Sequence, residues 1–152
     1  MKQNTLMMGL MIAIFGTSGA VMAGDCEITL DSDDQMQFDT DEITIDTSCD
    51  SIELTLVHSG ELEVNAMGHN VVFTLADDYD SLAQDAMEAS DTDYVPEGDD
   101  RVIAATDLIG GGESTTLEFD PGKFDTDEDY MFFCSFPGHA GPMSGDVVFT
   151  EG

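Results

Sequence analysis

Positive charge is the scarcest feature of this 152-residue chain. Only 3 residues are Lys or Arg, against 33 Asp or Glu, so the formal net charge is −30 at neutral pH. A polyanion of this strength repels phosphate backbones, which excludes nucleic acid as a partner. The length predicts one domain, and a content of 41% hydrophobic and 8% aromatic residues is enough for a packed core.

Cysteine is also scarce, with three residues in the whole chain. Three cysteines are too few for a small scaffold held together by disulfides, and an odd number leaves at least one thiol outside any bridge within the monomer. That remaining thiol is the first candidate for a functional group.

The first 23 residues contain no acidic residue, although the rest of the chain contains all 33. Lys2 precedes a ten-residue apolar run at residues 6–15, and Val21-Met22-Ala23 supplies the short side chains of a cleavage site. The run is shorter than the roughly 20 residues that span a bilayer. We therefore predict a signal peptide over residues 1–23, cleaved after Ala23, and export of a mature domain (residues 24–152) without a transmembrane segment.

Apolar and polar residues alternate with period two in several short runs, which is typical of half-buried strands. These runs, at residues 52–56, 71–75, 116–119, 130–134 and 147–149, predict an all-β antiparallel sandwich. One short helix is predicted over residues 81–89, with Leu82, Ala86 and Met87 on its apolar stripe.

The candidate metal ligands lie in two windows without charged side chains, residues 64–76 and residues 130–145. Their metal-binding side chains are those of His69, Cys134, His139 and Met143. A thiolate, two imidazoles and a weakly bound thioether form the ligand set of blue-copper electron-transfer sites. The sequence therefore predicts a copper site assembled from two distant segments.

Other readings of these residues stay open at this point. Cys134 and His139 alone also fit half of a zinc site or a catalytic Cys-His dyad, although a thioether is a poor zinc ligand and no orienting acid or amide lies nearby in sequence. Asp125, Asp127 and Asp129 match the opening of a calcium loop. Position six of that loop would be Tyr130 instead of Gly, so a calcium loop is not predicted.

Four segments resemble the azurins, small blue copper proteins of the cupredoxin family. They are Asn65-Ala66-Met67-Gly68-His69-Asn70, Arg101-Val102-Ile103-Ala104, Leu108-Ile109-Gly110 and Tyr130-Met131-Phe132-Phe133-Cys134-Ser135-Phe136-Pro137-Gly138-His139. The resemblance covers nearly all of residues 24–152. It implies an eight-stranded Greek-key β-sandwich, cupredoxin-like, with a short helical insertion.

The resemblance also implies roles for individual residues around one Cu(I)/Cu(II) ion. His69, Cys134 and His139 would be the equatorial ligands, Met143 the axial ligand and the Gly68 carbonyl a weak contact. Asn70 would brace the ligand loop, the Phe136 N–H would donate to the Cys134 sulfur, and His58 would pack beside the site without binding copper. Cys26 and Cys49, whose spacing is azurin-like, would form the disulfide.

Two positions depart from the azurin pattern. Val71 stands where several azurins have a buried tryptophan, and Ala140-Gly141-Pro142 makes the ligand loop smaller and stiffer, with one backbone donor fewer. We expect these changes to leave the site intact and to alter its reduction potential.

The function implied is that of a monomeric, periplasmic one-electron carrier and not of an enzyme. Its partners would be transient redox proteins, such as c-type cytochromes or a copper or haem reductase. They would dock on an uncharged patch that comprises Met67, Phe136, Pro137, Gly138, Ala140, Gly141 and Pro142 around an exposed edge of His139. A copper-storage module is the alternative. The scarcity of Lys and Arg favours adaptation to concentrated salt over the recruitment of basic partners.

Overall fold

A computed structural model of the chain describes residues 25–152, so the predicted signal peptide and its cleavage site lie outside the described residues. The described part contains eight strands: β1 (Glu27–Ser32), β2 (Glu42–Asp46), β3 (Ile52–His58), β4 (Val72–Leu75), β5 (Ala104–Ala105), β6 (Ser114–Phe119), β7 (Tyr130–Phe133) and β8 (Ser144–Thr150). Its helices are α1 (Val64–Met67) and α2 (Tyr79–Ala86), and single 3₁₀ turns lie at Ala76–Asp78, Ser90–Thr92 and Pro121–Lys123.

The strands form two sheets, one in the order β1-β3-β6 and one in the order β2-β8-β7-β4-β5. The predicted all-β sandwich of eight strands with a short helical insertion is thus confirmed. The expectation that it is antiparallel throughout is wrong, because β1 pairs with β3, and β2 with β8, in parallel. Each parallel pair is joined by chain that crosses to the other sheet, and this crossover brings the second strand back in the same direction.

The core lies between the two sheets and follows the alternation of the sequence. On β3, Ile52, Leu54 and Leu56 are fully buried, while Glu53 is exposed. Phe73 on β4 and Phe132 on β7 face them from the other sheet, within the same apolar cluster. Each fully buried side chain of this size contributes roughly 2 kcal/mol of transfer free energy, so this layer fixes the relative position of the sheets.

Helix α2 differs from its prediction in both bounds and packing. It begins at Tyr79 and ends at Ala86 instead of covering residues 81–89, and Met87, which was expected on the apolar stripe, is 50% exposed. Leu82 is buried in a second apolar cluster with Val72 and Phe133. Because this cluster covers the outer face of the larger sheet, β4 is buried on both faces and is not the half-buried strand that its pattern predicted.

The only arginine of the chain holds α2 against the segment that follows it. The guanidinium of Arg101 binds the carboxylates of Asp99 and Asp85 and donates to the Ser81 hydroxyl at 2.9 Å. The Arg101 guanidinium lowers the pKa of Asp99 to about 2. One cation therefore joins the helix to the loop before β5.

The two ends of the sandwich differ. The predicted disulfide between Cys26 and Cys49 is confirmed, with a Cα–Cα distance of 5.8 Å, and it lies where β1 and β3 begin. The opposite end, where β3 and β7 finish, carries the segments that were predicted to bind metal. Within residues 25–152, no helix has the length and apolar character that crossing a membrane requires.

Candidate metal centre

Strand pairing brings the two uncharged windows together. Strands β4 and β7 are antiparallel neighbours, with Val72 opposite Phe133. His69 shortly precedes β4 and Cys134 directly follows β7, so both lie at the same end of the sheet. Reciprocal backbone hydrogen bonds of 2.9 Å between His69 and Ile109 fix the chain at His69. The 65 residues that separate the histidine from the cysteine in sequence are therefore bridged by the fold.

Three ligand atoms converge at this end of the sandwich. The metal-binding atoms of His69, Cys134 and His139 all lie within 4.8 Å of one another. The sulfur of Cys134 is 3.9 Å from Nδ1 of His69 and 3.7 Å from Nδ1 of His139. All three residues are buried, and His139 is only 3% exposed, so the expected surface edge of its ring is narrow. The arrangement is a compact, water-poor group of one thiol and two imidazoles.

The protonation of His69 follows from its hydrogen bond to Asp33. The Nε2 atom lies 2.8 Å from the carbonyl oxygen of Asp33. A carbonyl oxygen can only accept, so Nε2 carries the proton and Nδ1 keeps the lone pair that faces Cys134. This hydrogen-bond partner was not predicted, because every residue has a backbone carbonyl and the sequence does not show which one reaches His69.

The ligand loop between Cys134 and Met143 is closed by its own backbone. The His139 N–H donates to the Phe136 carbonyl at 3.0 Å, and the Met143 N–H donates to the His139 carbonyl at 2.9 Å. The Cys134 N–H donates to the Met143 carbonyl at 2.9 Å, and the Met143 side chain is fully buried. Gly138 has a φ of 83°, which an L side chain rarely adopts. The loop thus turns tightly enough to return to the metal-binding end.

Gly68 is required by the closeness of its neighbours. A Cβ atom at this position would lie 2.7 Å from the carbonyl oxygen of Val64 and 2.9 Å from a ring carbon of Phe136. The Gly68 carbonyl oxygen lies 3.8 Å from the Cys134 sulfur. The absent side chain therefore lets a backbone carbonyl reach the centre.

Asn70 connects the two windows. Its Oδ1 accepts the Ser135 N–H at 2.8 Å, and its Nδ2 donates to the Ser135 hydroxyl at 2.8 Å. All these atoms are buried, so the pair is shielded from competing water. Asn70 therefore ties the segment before β4 to the start of the ligand loop.

His58 lies beside the centre without entering it. Its ring stacks on that of His69 with a centroid distance of 4.2 Å. Nδ1 accepts the Gly60 N–H at 3.1 Å, so Nε2 carries the proton and donates to the Met67 carbonyl at 2.9 Å. Both ring nitrogens are therefore occupied by backbone groups.

Burial sets the protonation of the ligand side chains. It raises the pKa of the Cys134 thiol to about 11, against an opposing effect of backbone hydrogen bonds from Asn70 and Phe136. The same desolvation lowers the pKa of His139 to about 4, helped by the nearby His69, whose own pKa is also lowered by burial. Near neutral pH the metal-free group is thus a thiol with two neutral imidazoles.

The surface around the ligand loop is apolar, but wider than predicted. Pro137, Gly138, Gly141 and Pro142 are exposed, whereas Phe136, Ala140 and Met67 are partly buried. Three large apolar side chains that were not predicted to belong to a docking surface are exposed: Met36 at 37%, Leu62 at 43% and Met87 at 50%. Met87 lines a groove of about 430 Å³ between α2 and the ligand loop. For Leu62, the sequence offered a signal, because an apolar residue between Glu61 and Glu63 is expected to be exposed.

The donor set fits copper. Soft thiolate and neutral imidazole are ligands that copper accepts, and the fully buried Met143 offers a thioether from the same loop. An eight-stranded sandwich with a buried two-histidine, one-cysteine group at one end defines the class of cupredoxin-like metal sites.

Comparisons with known proteins agree with this class. Residues 24–150 match the family model described as copper binding proteins of the plastocyanin/azurin family. An azurin of Pseudomonas fluorescens biotype C is 50% identical over 125 residues, which cover 82% of this chain and 98% of that protein. The outer membrane protein H.8 of Neisseria gonorrhoeae is 45% identical over 129 residues, which cover 85% of this chain and 70% of that protein.

A solved structure points the same way. The azurin Az-iso2 of the obligate methylotroph Methylomonas sp. strain J superposes with a TM-score of 0.79 at 38% identity, covering 83% of this chain and 98% of that one. The chain therefore belongs to the plastocyanin/azurin family of copper-binding proteins, as the resemblance of its motifs predicted, and copper is its cofactor.

Proposed function

We propose that the protein is a one-electron carrier whose copper site is held by His69, Cys134 and His139, with Met143 as axial ligand and the Gly68 carbonyl as a weak contact. The observation that carries the proposal is the convergence of one thiol and two imidazoles within 4.8 Å in a buried, braced setting. When bound there, copper supplies a centre that gains or loses a single electron.

The chain's own residues contribute rigidity. The ligands come from strand ends and from a loop closed by three backbone hydrogen bonds, and Asn70 ties the two segments through Ser135. A site fixed before the metal binds changes little when the charge at its centre changes, because its dipoles are already oriented. The backbone hydrogen bonds of Asn70 and Phe136 to the Cys134 sulfur would tune the potential, and the stacked ring of His58 would hold that of His69 in place.

The carrier role is proposed without catalysis. The two neutral imidazoles and the thiol face one another, so none of them is free to act as a general acid or base on a substrate. The protein would therefore exchange electrons with partners and is not an enzyme.

Partners would meet the protein at the apolar surface around the ligand loop. The exposed Pro137, Gly138 and Pro142 carry no charge on a chain of −30, so this patch loses little hydration when it docks. We propose transient redox proteins as partners, such as c-type cytochromes or a copper or haem reductase, and a monomeric carrier in the periplasm. The acid-free segment of residues 1–23 supports export, with cleavage after Ala23.

A copper-storage module is the second candidate, and one experiment separates it from the carrier. Cu(II) is added to the copper-free protein, and the visible spectrum and a voltammogram are recorded. An intense blue thiolate-to-copper band with a reversible wave is expected of the carrier. A protein that binds copper without a blue band and without a reversible wave would contradict the proposal and favour storage.

A further inference from the structure

Tyr79, the first residue of α2, contacts the ligand loop from outside. Its hydroxyl donates to the carbonyl oxygen of Ala140 at 2.7 Å. Ala140 directly follows His139, so this bond is one peptide away from an imidazole of the metal centre. Tyr79 belongs to the helical insertion α2, which is distant from the ligand loop in sequence.

The ring of Tyr79 is itself held in place. It packs edge-on against Phe133 with a centroid distance of 5.2 Å, and Phe133 directly precedes Cys134. Tyr79 and Ala140 both pack against the apolar cluster of Val72, Leu82 and Phe133. The position of the hydroxyl is therefore set by the same strand that presents the cysteine.

Tyr79 gives the ligand loop a second point of attachment from outside the loop. Pro142 has no N–H to donate, and Gly138 and Gly141 allow the backbone more freedom than other residues do. Asn70 holds the loop at Ser135, near its beginning. Tyr79 holds it at Ala140, on the far side of His139, so that the histidine lies between two points fixed from outside the loop.

We propose that Tyr79 is a positioning residue for the copper site, and that its hydroxyl fixes His139 through the Ala140 carbonyl. The proposal rests on the proposed carrier function for its electrochemical consequence, but the hydrogen bond acts on the copper-free loop as well. Because Cu(I) tolerates a loosely held imidazole better than Cu(II) does, the tether favours the oxidised state.

The test compares Tyr79→Phe with Tyr130→Phe. Tyr79→Phe removes one oxygen and keeps the ring against Phe133, so the variant is expected to fold. Tyr130 is a matched control, because its hydroxyl also binds backbone, accepting the Asp125 N–H at 2.8 Å at the opposite end of β7. Amide hydrogen exchange of the copper-free protein is measured at His139 and Met143, whose N–H groups are bonded within the loop.

In Tyr79→Phe, we expect exchange at these two amides to become about five-fold faster, as the loss of one typical hydrogen bond implies, while amides of β3 and β6 are unchanged. The copper-loaded variant should remain blue, with a higher reduction potential and an altered copper hyperfine splitting. Tyr130→Phe should change neither the loop amides nor the potential.

Unchanged loop amides would overturn the proposal, and so would faster exchange with an unaltered potential and spectrum, since the tether would then be structural only. Failure of the carrier function is seen separately, as a wild-type protein without a blue band or reversible wave, whatever Tyr79→Phe does to the loop amides.

Discussion

Cys134 is the residue on which the proposed site depends most. Replacing it by Ser should abolish the blue band, because a hydroxyl cannot supply the covalency of a thiolate. Met143→Leu should keep the band, because the trigonal plane remains, and should raise the potential, because one donor to the oxidised metal is lost. Visible spectroscopy and voltammetry check both outcomes. A blue Cys134→Ser protein, or a Met143→Leu protein that no longer binds copper, would contradict the ligand assignment.

The protonation of the same residues gives a second prediction. The pKa of the Cys134 thiol is raised to about 11 and that of His139 is lowered to about 4, so between pH 7 and 9 the metal-free thiol is protonated while the His139 imidazole is already neutral. Binding of Cu(II) as a thiolate complex should release close to one proton per metal throughout this range. Calorimetry in buffers of different ionisation enthalpy measures the number. A release that falls well below one by pH 9 would show that burial does not protect the thiol.

At the scale of single residues, the sequence predicted which side chains meet and missed what orients them. His69, Cys134 and His139 were predictable because their side-chain chemistry is distinctive and their surroundings lack charge. The Asp33 carbonyl that orients His69 was not predictable, because any residue could supply it. Tyr79 lies among aspartates in sequence, and only the packing of α2 brings its hydroxyl to the loop.

The disulfide acts on the elements that begin at the far end of the sandwich. Cys26 precedes β1 and Cys49 precedes β3, with 23 residues of separation in sequence. Replacing both by Ala should lower the free energy of unfolding by roughly 3 kcal/mol, mainly because the unfolded chain gains freedom. Guanidinium unfolding of the copper-free protein measures the loss. The copper-loaded variant should keep an unchanged blue band, and a shifted band would mean that the two ends are not independent.

The elements were predictable where a pattern is local. The alternation on β3 and β6 matches their exposed and buried sides, because each packs one face on the core. The parallel pairing of β1 with β3 depends on where the chain crosses between sheets, and no single strand records that. The burial of β4 on both faces depends on α2, whose end at Ala86 also leaves Met87 outside the helix.

The apolar surface of the whole molecule gives a prediction about docking. Met87→Lys and Met67→Lys should slow electron self-exchange and partner reduction by about ten-fold, because a lysine must be desolvated when the patch is covered. The spectrum should not change. Thr126→Lys adds the same charge at an exposed site at the opposite end and serves as the control. Equal rates for the patch variants and the control, at several ionic strengths, would place electron entry elsewhere.

The charge of the whole molecule gives a prediction about salt. Without residues 1–23 the chain keeps two cations, Arg101 and Lys123, against 33 acids, a formal charge of −31. Salt shortens the Debye length from about 10 Å at 0.1 M to about 3 Å at 1 M, which screens this self-repulsion. The Tm should therefore rise by at least about 5 °C between 0.1 and 2 M NaCl, as about 1 kcal/mol of stabilisation implies.

The matched control for salt reduces the charge instead of screening it. Changing the exposed Asp77, Asp80, Asp91, Asp93 and Asp100 to Asn should raise the Tm in low salt and flatten its dependence on NaCl. Association with a basic partner should weaken over the same range of salt. A Tm that stays flat between low and molar NaCl would contradict adaptation to concentrated salt and leave the acidic surface to partner choice.

The two ends of the sandwich have a practical consequence for attaching the molecule to an electrode. The described chain enters beside Cys26 and leaves after β8, and both points lie at the end opposite the ligand loop. A linker at Gly152 would therefore put the length of β3, roughly 20 Å, between the metal centre and the electrode. The apolar surface around the ligand loop would then face the solution. Such a film would transfer electrons slowly to the electrode and readily to dissolved partners, and a linker at position 62 should reverse that order.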